Sequence, residues 1–462
     1  MDERKSGTRA DPGADSKAVS LVAVLVLGVI AYALNASMIT PALPDMAREL
    51  GTSVKDIAQV SSLFFLAGAV AGVVFSRFSD FTGRKRMLLA VLAATSVGTI
   101  LCVFAPNLPT LLAGRVLQGA SSAAFQLAYV ILNERLSAKV FGTALGVITS
   151  INGGVGGLDG YLGGRLSDTL GYRSIFVVIL LVCIAAIGCV ALFLPDTARP
   201  AASGHMDWWG SAALSIGLIC VTYFVSYGSS DGWTAPTALG YLVGTVLSFV
   251  AFVLVERRTT TPLIAVRHLR SRQVWPVVAT TITVLAGVFA VINFTVVILS
   301  QNSDIGFGLS ASRSALLYLA PAAVIGVFAA PAAGWLAGKA GWIKILRIGL
   351  ALNIVPLAVI ALYPTNRWSV FAAIAALGVV YNGLVLTTVN GLGVIQSPEE
   401  APAALPGLNG AAFGIGAGLG IGIVAPFAAQ GTVSGFTTSL WISCGITTLA
   451  LAASFCIKPR ES

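Results

Sequence analysis

Residues 76–86 read SRFSDFTGRKR and join two apolar segments, 57–76 and 87–105, that contain no charged residue. Each segment is long enough to cross a bilayer as a helix, which takes about 20 residues. The loop between them concentrates one acid, one glycine and four bases. Its acid, Asp80, lies four residues before Arg84, so the two side chains can pair where the chain is helical. The loop is therefore predicted to separate two membrane spans.

The whole chain repeats this pattern of long apolar segments and short polar loops. Its 462 residues are 56% hydrophobic and only 10% charged, whereas soluble domains carry about a quarter charged residues. Lipid must therefore surround most side chains, and helices satisfy the backbone there. We predict an all-α membrane protein with fourteen transmembrane helices, at residues 18–41, 57–76, 87–105, 108–132, 141–163, 174–194, 208–228, 236–255, 275–300, 314–337, 344–363, 368–390, 404–428 and 434–456.

Basic residues fall mainly in alternate loops. Of the 28 Lys and Arg residues, 21 lie on one side of the predicted spans, and Arg115 lies inside a span. Because cytoplasmic loops carry the excess of basic residues, we predict a multi-pass protein of the cell membrane with both termini in the cytoplasm. The same distribution accounts for the net charge of +9 without nucleic acid as a partner. The outer side receives Arg48, Lys55, Arg165, Arg173, Arg313 and Arg367.

The sequence contains no pattern typical of an enzyme. The two histidines, His205 and His268, lie in polar loops, and the six cysteines lie in apolar stretches without metal-ligand spacing. A Ser/His/Asp set and a phosphate-binding loop are both missing. We therefore predict a protein that is not an enzyme and needs no cofactor or metal. The apolar run at 18–44 exceeds the core of a signal peptide, which favours an uncleaved first span.

Two features recur at nearly one spacing. The glycine-rich spans 5 and 13 are related by Gly153 and Gly410, 257 residues apart, and the loop beginning at Ser76 recurs 258 residues later at Gly334. A shared offset indicates two related six-helix halves, as in many secondary transporters. We predict an N-terminal half, two inserted helices with a basic loop, and a C-terminal half, at 1–200, 201–272 and 273–462.

The SRFSDFTGRKR loop resembles the signature loop of the major facilitator superfamily, most strongly from Asp80 to Lys85. In that family the loop latches the two halves together on the cytoplasmic side. The resemblance implies this latch role for Asp80, Gly83, Arg84 and Lys85. A solvated basic loop without a latch is the alternative. The second half lacks the acid, because Gly338 stands at the equivalent position.

Span 4 contains a charged side chain, Arg115, in the sequence RVLQG. This sequence resembles the family's motif for proton coupling, and a charge within a span indicates function by default. Polar residues at helical spacing extend one stripe from Arg115 along the span. The stripe predicts a helix face on a water-filled cavity, with inter-helix hydrogen bonds as the alternative. Its members are Gln118, Ser122, Gln126, Tyr129 and Asn133.

Asp159 is the clearest carboxylate within a predicted span. A low-dielectric setting favours the neutral form of a carboxylate, so Asp159 is suited to carry a proton. The sequences DWWG at 207–210 and VERR at 255–258 resemble the fourteen-span drug:proton antiporters, which carry an acid in span 1. Asn35 stands in that place, and we predict that Asp159, tuned by Arg115, took over proton coupling. The alternative is that Asp159 pairs with Arg165 near the outer end.

Small and uncharged polar residues complete the predicted site. Glycines spaced by four residues predict close helix packing, and they are Gly156, Gly160, Gly164, Gly410, Gly414 and Gly418. A cavity with few charges suits an amphipathic or apolar substrate. We predict that it is lined by Asn35, Gln118, Gln126, Tyr129, Asn293, Tyr381 and Asn382.

The resemblance implies proton-coupled efflux of small organic or drug-like molecules by alternating access. The stretch from Asp159 to Gly164 resembles the family's antiporter motif, although Asp159 and Gly160 replace its Gly-Pro pair. Uptake of a nutrient or metabolite by a symporter or facilitator is the alternative. The expected partners are a small-molecule substrate, protons and the lipid bilayer, and a monomer is expected.

Overall fold

The predicted all-α membrane architecture is confirmed. The described residues contain helices and no β-strand, and twelve of the helices are long and apolar enough to cross a membrane. The computed structural model describes residues 12–136, 144, 148, 158–195, 207–259, 271–396 and 404–459.

The α-helices of the described residues are numbered α1 to α17 in chain order. The first eleven are α1 (Pro12–Ser37), α2 (Leu43–Glu49), α3 (Val54–Ile57), α4 (Gln59–Thr82), α5 (Arg84–Val103), α6 (Leu108–Gly119), α7 (Ser122–Arg135), α8 (158–170), α9 (Arg173–Phe193), α10 (Trp208–Asp231) and α11 (Pro236–Arg258). The others are α12 (Trp275–Gln301), α13 (Ala311–Ala340), α14 (Trp342–Leu362), α15 (Arg367–Ile395), α16 (Ala404–Ala428) and α17 (Val433–Ser454). Wider π-helical turns interrupt α12 at Leu285–Phe289 and Val291–Thr295, α13 at Ala315–Leu319, and α15 at Gly378–Val385.

The described residues do not confirm the predicted count of fourteen spans. The span predicted at 108–132 forms two shorter helices, α6 and α7, because the α-helix is interrupted at Ala120 and Ser121. The span predicted at 141–163 lies mostly outside the described residues, and α8 covers only its end. The other twelve predicted spans each coincide with a long apolar helix.

The glycine turn between α4 and α5 recurs between α13 and α14. Gly83 lies between α4 and α5 with a φ of 95°, and Gly341 lies between α13 and α14 with a φ of 97°. This backbone region favours glycine, which has no β-carbon to clash. The two glycines are 258 residues apart, so the second copy keeps the turn although it has lost the acid.

Helix starts repeat in the same way. Ser53 and Ser310 each accept a backbone hydrogen bond at the start of α3 and α13, and they are 257 residues apart. Asn107 and Asn366 cap α6 and α15, and they are 259 residues apart. Side-chain caps of this kind fix where a helix begins. These paired caps support an internal repeat, while the exact domain boundaries stay a prediction.

Buried side chains form two main hydrophobic clusters. One is built mostly from α1, α4–α7 and α9, and the other mostly from α12–α15 and α17. Helix α16 crosses this division, because its buried residues from Ala417 to Ala428 belong to the first cluster. The contact of α16 with α4 therefore forms a seam between the two parts of the chain.

Glycines let the backbones approach at this seam. A β-carbon on Gly414 would lie 2.6 Å from the carbonyl oxygen of Phe65, and one on Gly418 would lie 2.9 Å from that of Ser62. A β-carbon on Gly410 would lie 3.0 Å from Nε2 of Gln126 on α7. The three glycines predicted for helix packing in α16 thus all face the first part of the chain.

Two of the predicted glycines of span 5 form a second close contact. A β-carbon on Gly164 in α8 would lie 2.6 Å from Cα of Ser312, and one on Gly160 would lie 3.3 Å from Cδ1 of Leu319. Both neighbours belong to α13. The third, Gly156, lies outside the described residues.

We expect Gly414→Ala to destabilise the protein by about 1–3 kcal/mol, because the methyl group must displace backbone atoms of Phe65. Gly422→Ala is the matched control on the same helix, since its β-carbon would meet nothing nearer than Oγ of Ser62 at 3.9 Å. Thermal unfolding of the purified proteins in detergent measures the difference. Equal melting temperatures for the two variants would contradict the tight seam.

Candidate functional site

Arg115 is fully buried where α1, α4 and α6 meet. Its Nε donates to the carbonyl oxygen of Val60 at 2.9 Å, and its NH2 donates to that of Asn35 at 3.1 Å. Its NH1 donates to Oε1 of Gln118 at 2.6 Å, and its guanidinium lies 4.2 Å from the ring centroid of Phe64. No described carboxylate pairs with it. Carbonyl dipoles and an aromatic face therefore replace the counter-ion of this buried cation.

The part of the polar stripe near Arg115 serves contacts between helices. Gln118 is fully buried and donates to Oγ1 of Thr99 on α5 at 2.8 Å. Ser122 donates to the carbonyl oxygen of Gly68 on α4 at 2.5 Å. The burial of Asn35 and Gln118 thus favours the inter-helix alternative at this end, and a cavity role for them stays a prediction.

The other end of the stripe is more accessible. Gln126 and Tyr129 are half-buried and Asn133 is exposed. Gln126 also reaches across the seam, because its Nε2 lies against Gly72 of α4 and Gly410 of α16. Gln126 therefore contacts both parts of the chain, and these contacts would change if the two parts moved relative to each other.

Asp159 lies in α8 and contacts the C-terminal end of α1. Its Oδ2 is 2.5 Å from Oγ of Ser37, and its Oδ1 is buried with no hydrogen-bond partner among the described residues. The Ser37 hydroxyl is also 2.8 Å from the carbonyl oxygen of Ala33. Arg165 is exposed and forms no ion pair with Asp159, so the structure does not favour the predicted alternative of a simple pair near the outer end.

The two residues predicted for proton coupling meet the same turn of α1. Arg115 donates to the carbonyl oxygen of Asn35. The Asp159 carboxyl group is hydrogen-bonded to the hydroxyl of Ser37, two residues further along α1. They do not contact each other directly. Asn35 donates to the carbonyl oxygen of Ala31 in its own helix at 2.8 Å.

Three phenylalanines meet across the seam and form what we call the aromatic centre. The ring centroid of Phe65 on α4 lies 5.2 Å from that of Phe289 on α12 and 6.5 Å from that of Phe413 on α16. Phe289 and Phe413 are 5.6 Å apart. Phe65 also contacts Phe64 at 5.2 Å, which connects the aromatic centre to the ring beneath Arg115. The sequence had not distinguished these rings from lipid-facing or core residues.

Two half-buried amides lie about one helical turn from rings of the aromatic centre. Gln126 contacts Gly410, about one helical turn from Phe413. Asn293 donates to the carbonyl oxygen of Phe289, one turn earlier in α12, at 3.2 Å. Every side chain named at this centre is uncharged.

All three cavity residues predicted in the second half lie in π-helical turns. These turns hold Asn293 in α12, and Tyr381 and Asn382 in α15. π-Helical turns are rare and often mark functional positions. No hydrogen bond among the described residues joins Asn293 to Tyr381 or Asn382, however. Asn382 donates to the carbonyl oxygen of Ala322 at 2.8 Å, and Tyr381 is buried with no partner for its hydroxyl among the described residues.

The end of the bundle that is predicted to face outward contains a contact that the sequence did not indicate. The carboxylate of Asp168, at the end of α8, accepts from the backbone N–H groups of Ala311 and Ser312 at 3.2 and 3.1 Å, and from the Ser312 hydroxyl. Nearby, Nε2 of Gln301 donates to the carbonyl oxygen of Pro41 at 2.8 Å. A carboxylate at a helix N-terminus is favourable, so these contacts hold the two parts together at this end.

The signature loop lies at the opposite end. Asp80 pairs with Arg77 at 2.7 Å and with Arg84 at 2.5 Å, and Arg84 pairs with Glu134 at 2.9 Å. Lys85 donates to the carbonyl oxygen of Ala191 at 3.1 Å. These partners all belong to the first part of the chain. A latch to the second half therefore stays a prediction.

Comparisons with known proteins fit this architecture. The model of the Major Facilitator Superfamily matches residues 25–421. A uridine/deoxyuridine transporter of Lactococcus lactis is 34% identical over 412 residues, which cover 87% of this chain and 85% of that protein. The multidrug resistance protein Stp of Mycobacterium tuberculosis is 26% identical over 407 residues, covering 86% and 73%. The xylose transporter XylE of E. coli, in a partially occluded inward-open conformation, matches 97% of this chain and 100% of its own with a TM-score of 0.64 at 14% identity.

We expect Asp168→Ala to open the outer end. Charge-assisted hydrogen bonds contribute about 1.5–3 kcal/mol each, so the accessibility of buried Leu319 should rise about tenfold or more. The measurement is the rate at which an impermeant maleimide labels Leu319→Cys in a background without native cysteines.

Asp304→Asn provides the control, because it removes one exposed acid of the same outer end that does not join the two parts. An unchanged labelling rate in Asp168→Ala would mean that this contact does not keep the outer end closed.

Proposed function

We propose that this chain, which belongs to the Major Facilitator Superfamily, carries an uncharged, ring-bearing polar solute of the nucleoside class. The chain is a multi-pass membrane transporter and not an enzyme. Its similarity to a uridine/deoxyuridine transporter covers most of both proteins and supports this substrate class.

One observation carries the proposal, and it is the uncharged aromatic centre between the two parts. The faces of Phe65, Phe289 and Phe413 suit a planar ring, because aromatic groups stack or meet edge to face. Gln126 and Asn293 supply amide donors and acceptors at its border. A site built from a few fixed polar groups on apolar walls is typical of small-molecule recognition. It disfavours substrates with a net charge, since their desolvation would have no compensation here.

Proton coupling through Asp159 is supported by the hydrogen bonds of Ser37. A hydroxyl has one proton to donate, yet Ser37 lies near two acceptors, Ala33 O and the Asp159 carboxylate. A neutral Asp159 resolves this conflict by donating to Ser37, which then donates to Ala33 O. Loss of the proton would leave a buried carboxylate with no cation partner among the described residues, and would therefore loosen α8 from α1.

This coupling fits a cycle of alternating access. The outer end is closed by Asp168 and Gln301, while the glycine seam of α4 and α16 allows one part to rock against the other. We also propose the fourteen-span arrangement. In it, α6 and α7 together make one span, α8 completes another, and α10 and α11 are the inserted pair between the halves.

Export of drug-like molecules is the second candidate. It is favoured by the similarity to the multidrug resistance protein Stp and by the apolar character of the aromatic centre. In both cases the substrate would meet the same rings, but the direction of net transport would differ.

Uptake of radiolabelled uridine tests the substrate class. Cells that lack their own nucleoside transporters should accumulate uridine when they contain this protein, and a protonophore should abolish the accumulation. Deoxyuridine should compete, whereas uridine monophosphate should not, because the aromatic centre offers no counter-charge. Absent uridine uptake, together with protonophore-sensitive exclusion of a dye, would reject the nucleoside proposal in favour of export.

Asp159→Asn tests the coupling. We expect it to lose uridine accumulation against a gradient but to keep exchange of internal for external uridine, since exchange needs no net movement of protons. Asp304→Asn is the control for loss of an acid elsewhere. Proton-driven accumulation that survives in Asp159→Asn would eliminate Asp159 as the coupling residue.

A further inference from the structure

A groove lies at the end of the bundle that holds the signature loop, between the start of α14 and the residues after α17. Its volume is about 380 Å³, within the range of small-ligand sites. It combines two cations with apolar walls and is lined by Ile343, Lys344, Arg347, Ile348, Ile457 and Pro459.

The two cations of the groove have no carboxylate partner among the described residues. Arg347 donates to the carbonyl oxygen of Ser454 at 3.2 Å and lies 4.7 Å from the ring centroid of Phe455. Its Nε is buried with no acceptor in the described part of the chain. Lys344 is exposed and forms no described ion pair. An anion bound here would satisfy donors that have no acceptor among the described residues.

In the corresponding loop of the first half, the arginine beside the turn has acidic partners. There, Arg84 is neutralised by Asp80 and Glu134. The second copy keeps the glycine turn at Gly341 but has Gly338 in the place of Asp80. The second copy therefore keeps basic residues beside the turn, with glycine in the place of the acid.

Aromatic residues indicate that the groove lies at the level of lipid headgroups. Trp335, near the end of α13, is 62% exposed, and the Lys339 ammonium lies 3.9 Å from its ring centroid. Exposed tryptophans gather at membrane interfaces. From the groove, an exposed apolar face continues along α14 through Ile348, Leu352 and Val355, which are spaced at one helical turn.

We propose that the groove binds the phosphate headgroup of an anionic glycerophospholipid. Lys344 and Arg347 contact the phosphate, and the acyl chains follow the face of Ile348, Leu352 and Val355. Basic pockets between helices on the cytoplasmic side are suited to anionic headgroups. The charge pattern predicts that this end faces the cytoplasm, where the anionic lipids are enriched.

Native mass spectrometry of the purified full chain tests this proposal. Dioleoylphosphatidylglycerol is titrated against dioleoylphosphatidylcholine, and bound lipid is counted. Each basic residue near an anionic lipid contributes about fivefold in affinity, so Lys344→Gln should weaken phosphatidylglycerol binding about fivefold. The double variant with Arg347→Gln should weaken it about 25-fold. The matched control removes two exposed arginines at the other end, Arg165→Gln with Arg313→Gln.

The proposal is supported if phosphatidylglycerol binds in preference to phosphatidylcholine and if only the groove variants reduce that preference. Lys344→Gln keeps the test valid even where Arg347→Gln impairs folding, because Lys344 is exposed. Equal binding of both lipids, or equal losses in the control variant, would overturn it. Displacement of phosphatidylglycerol from the wild type by inorganic phosphate would assign the groove to a free anion and would also overturn it.

Discussion

The buried Arg115 imposes the constraint on which the first part of the structure depends. A cation without a carboxylate is tolerated in a membrane only where fixed dipoles replace water. Three groups supply these dipoles. They are the carbonyl groups of Asn35 on α1 and Val60 on α4, and the side-chain amide of Gln118 on α6 itself. These helices cannot separate without exposing the charge to apolar surroundings. The guanidinium therefore holds them as one unit, against which other helices can move.

Asp159 lies outside this unit, in α8, and contacts its helix α1. It reaches the turn of α1 that ends at Ser37, next to the carbonyl group that Arg115 holds. In the proposed coupling, a change in its protonation alters how α8 is attached to α1, and α8 carries the glycines and Asp168 that contact α13. A proton at one buried oxygen can thus influence contacts at the outer end through a single helix, without direct contact between the two charged residues.

The sequence was sufficient for features that depend on local pattern. The lengths of the apolar segments predicted the positions of twelve long helices. The four-residue spacing of Asp80 and Arg84 predicted their ion pair. It was insufficient where partners are distant in the chain. The Asp168–Ser312 contact joins residues 144 positions apart, and nothing near Asp168 marks it as a cap for another helix. The aromatic centre was not distinguished because most of the 22 phenylalanines lie in apolar segments like those of Phe65, Phe289 and Phe413.

The paired helix caps carry a further consequence. From Ser53 to Gly83 the first copy spans one residue fewer than the second copy does from Ser310 to Gly341, and the second interval contains the π-helical turn of α13. That wider turn can take up a one-residue insertion, so that the cap before it and the glycine after it keep their register. Duplicated halves can diverge in this way inside a helix rather than in a loop. The substrate path can then become asymmetric while the frame around it stays symmetric.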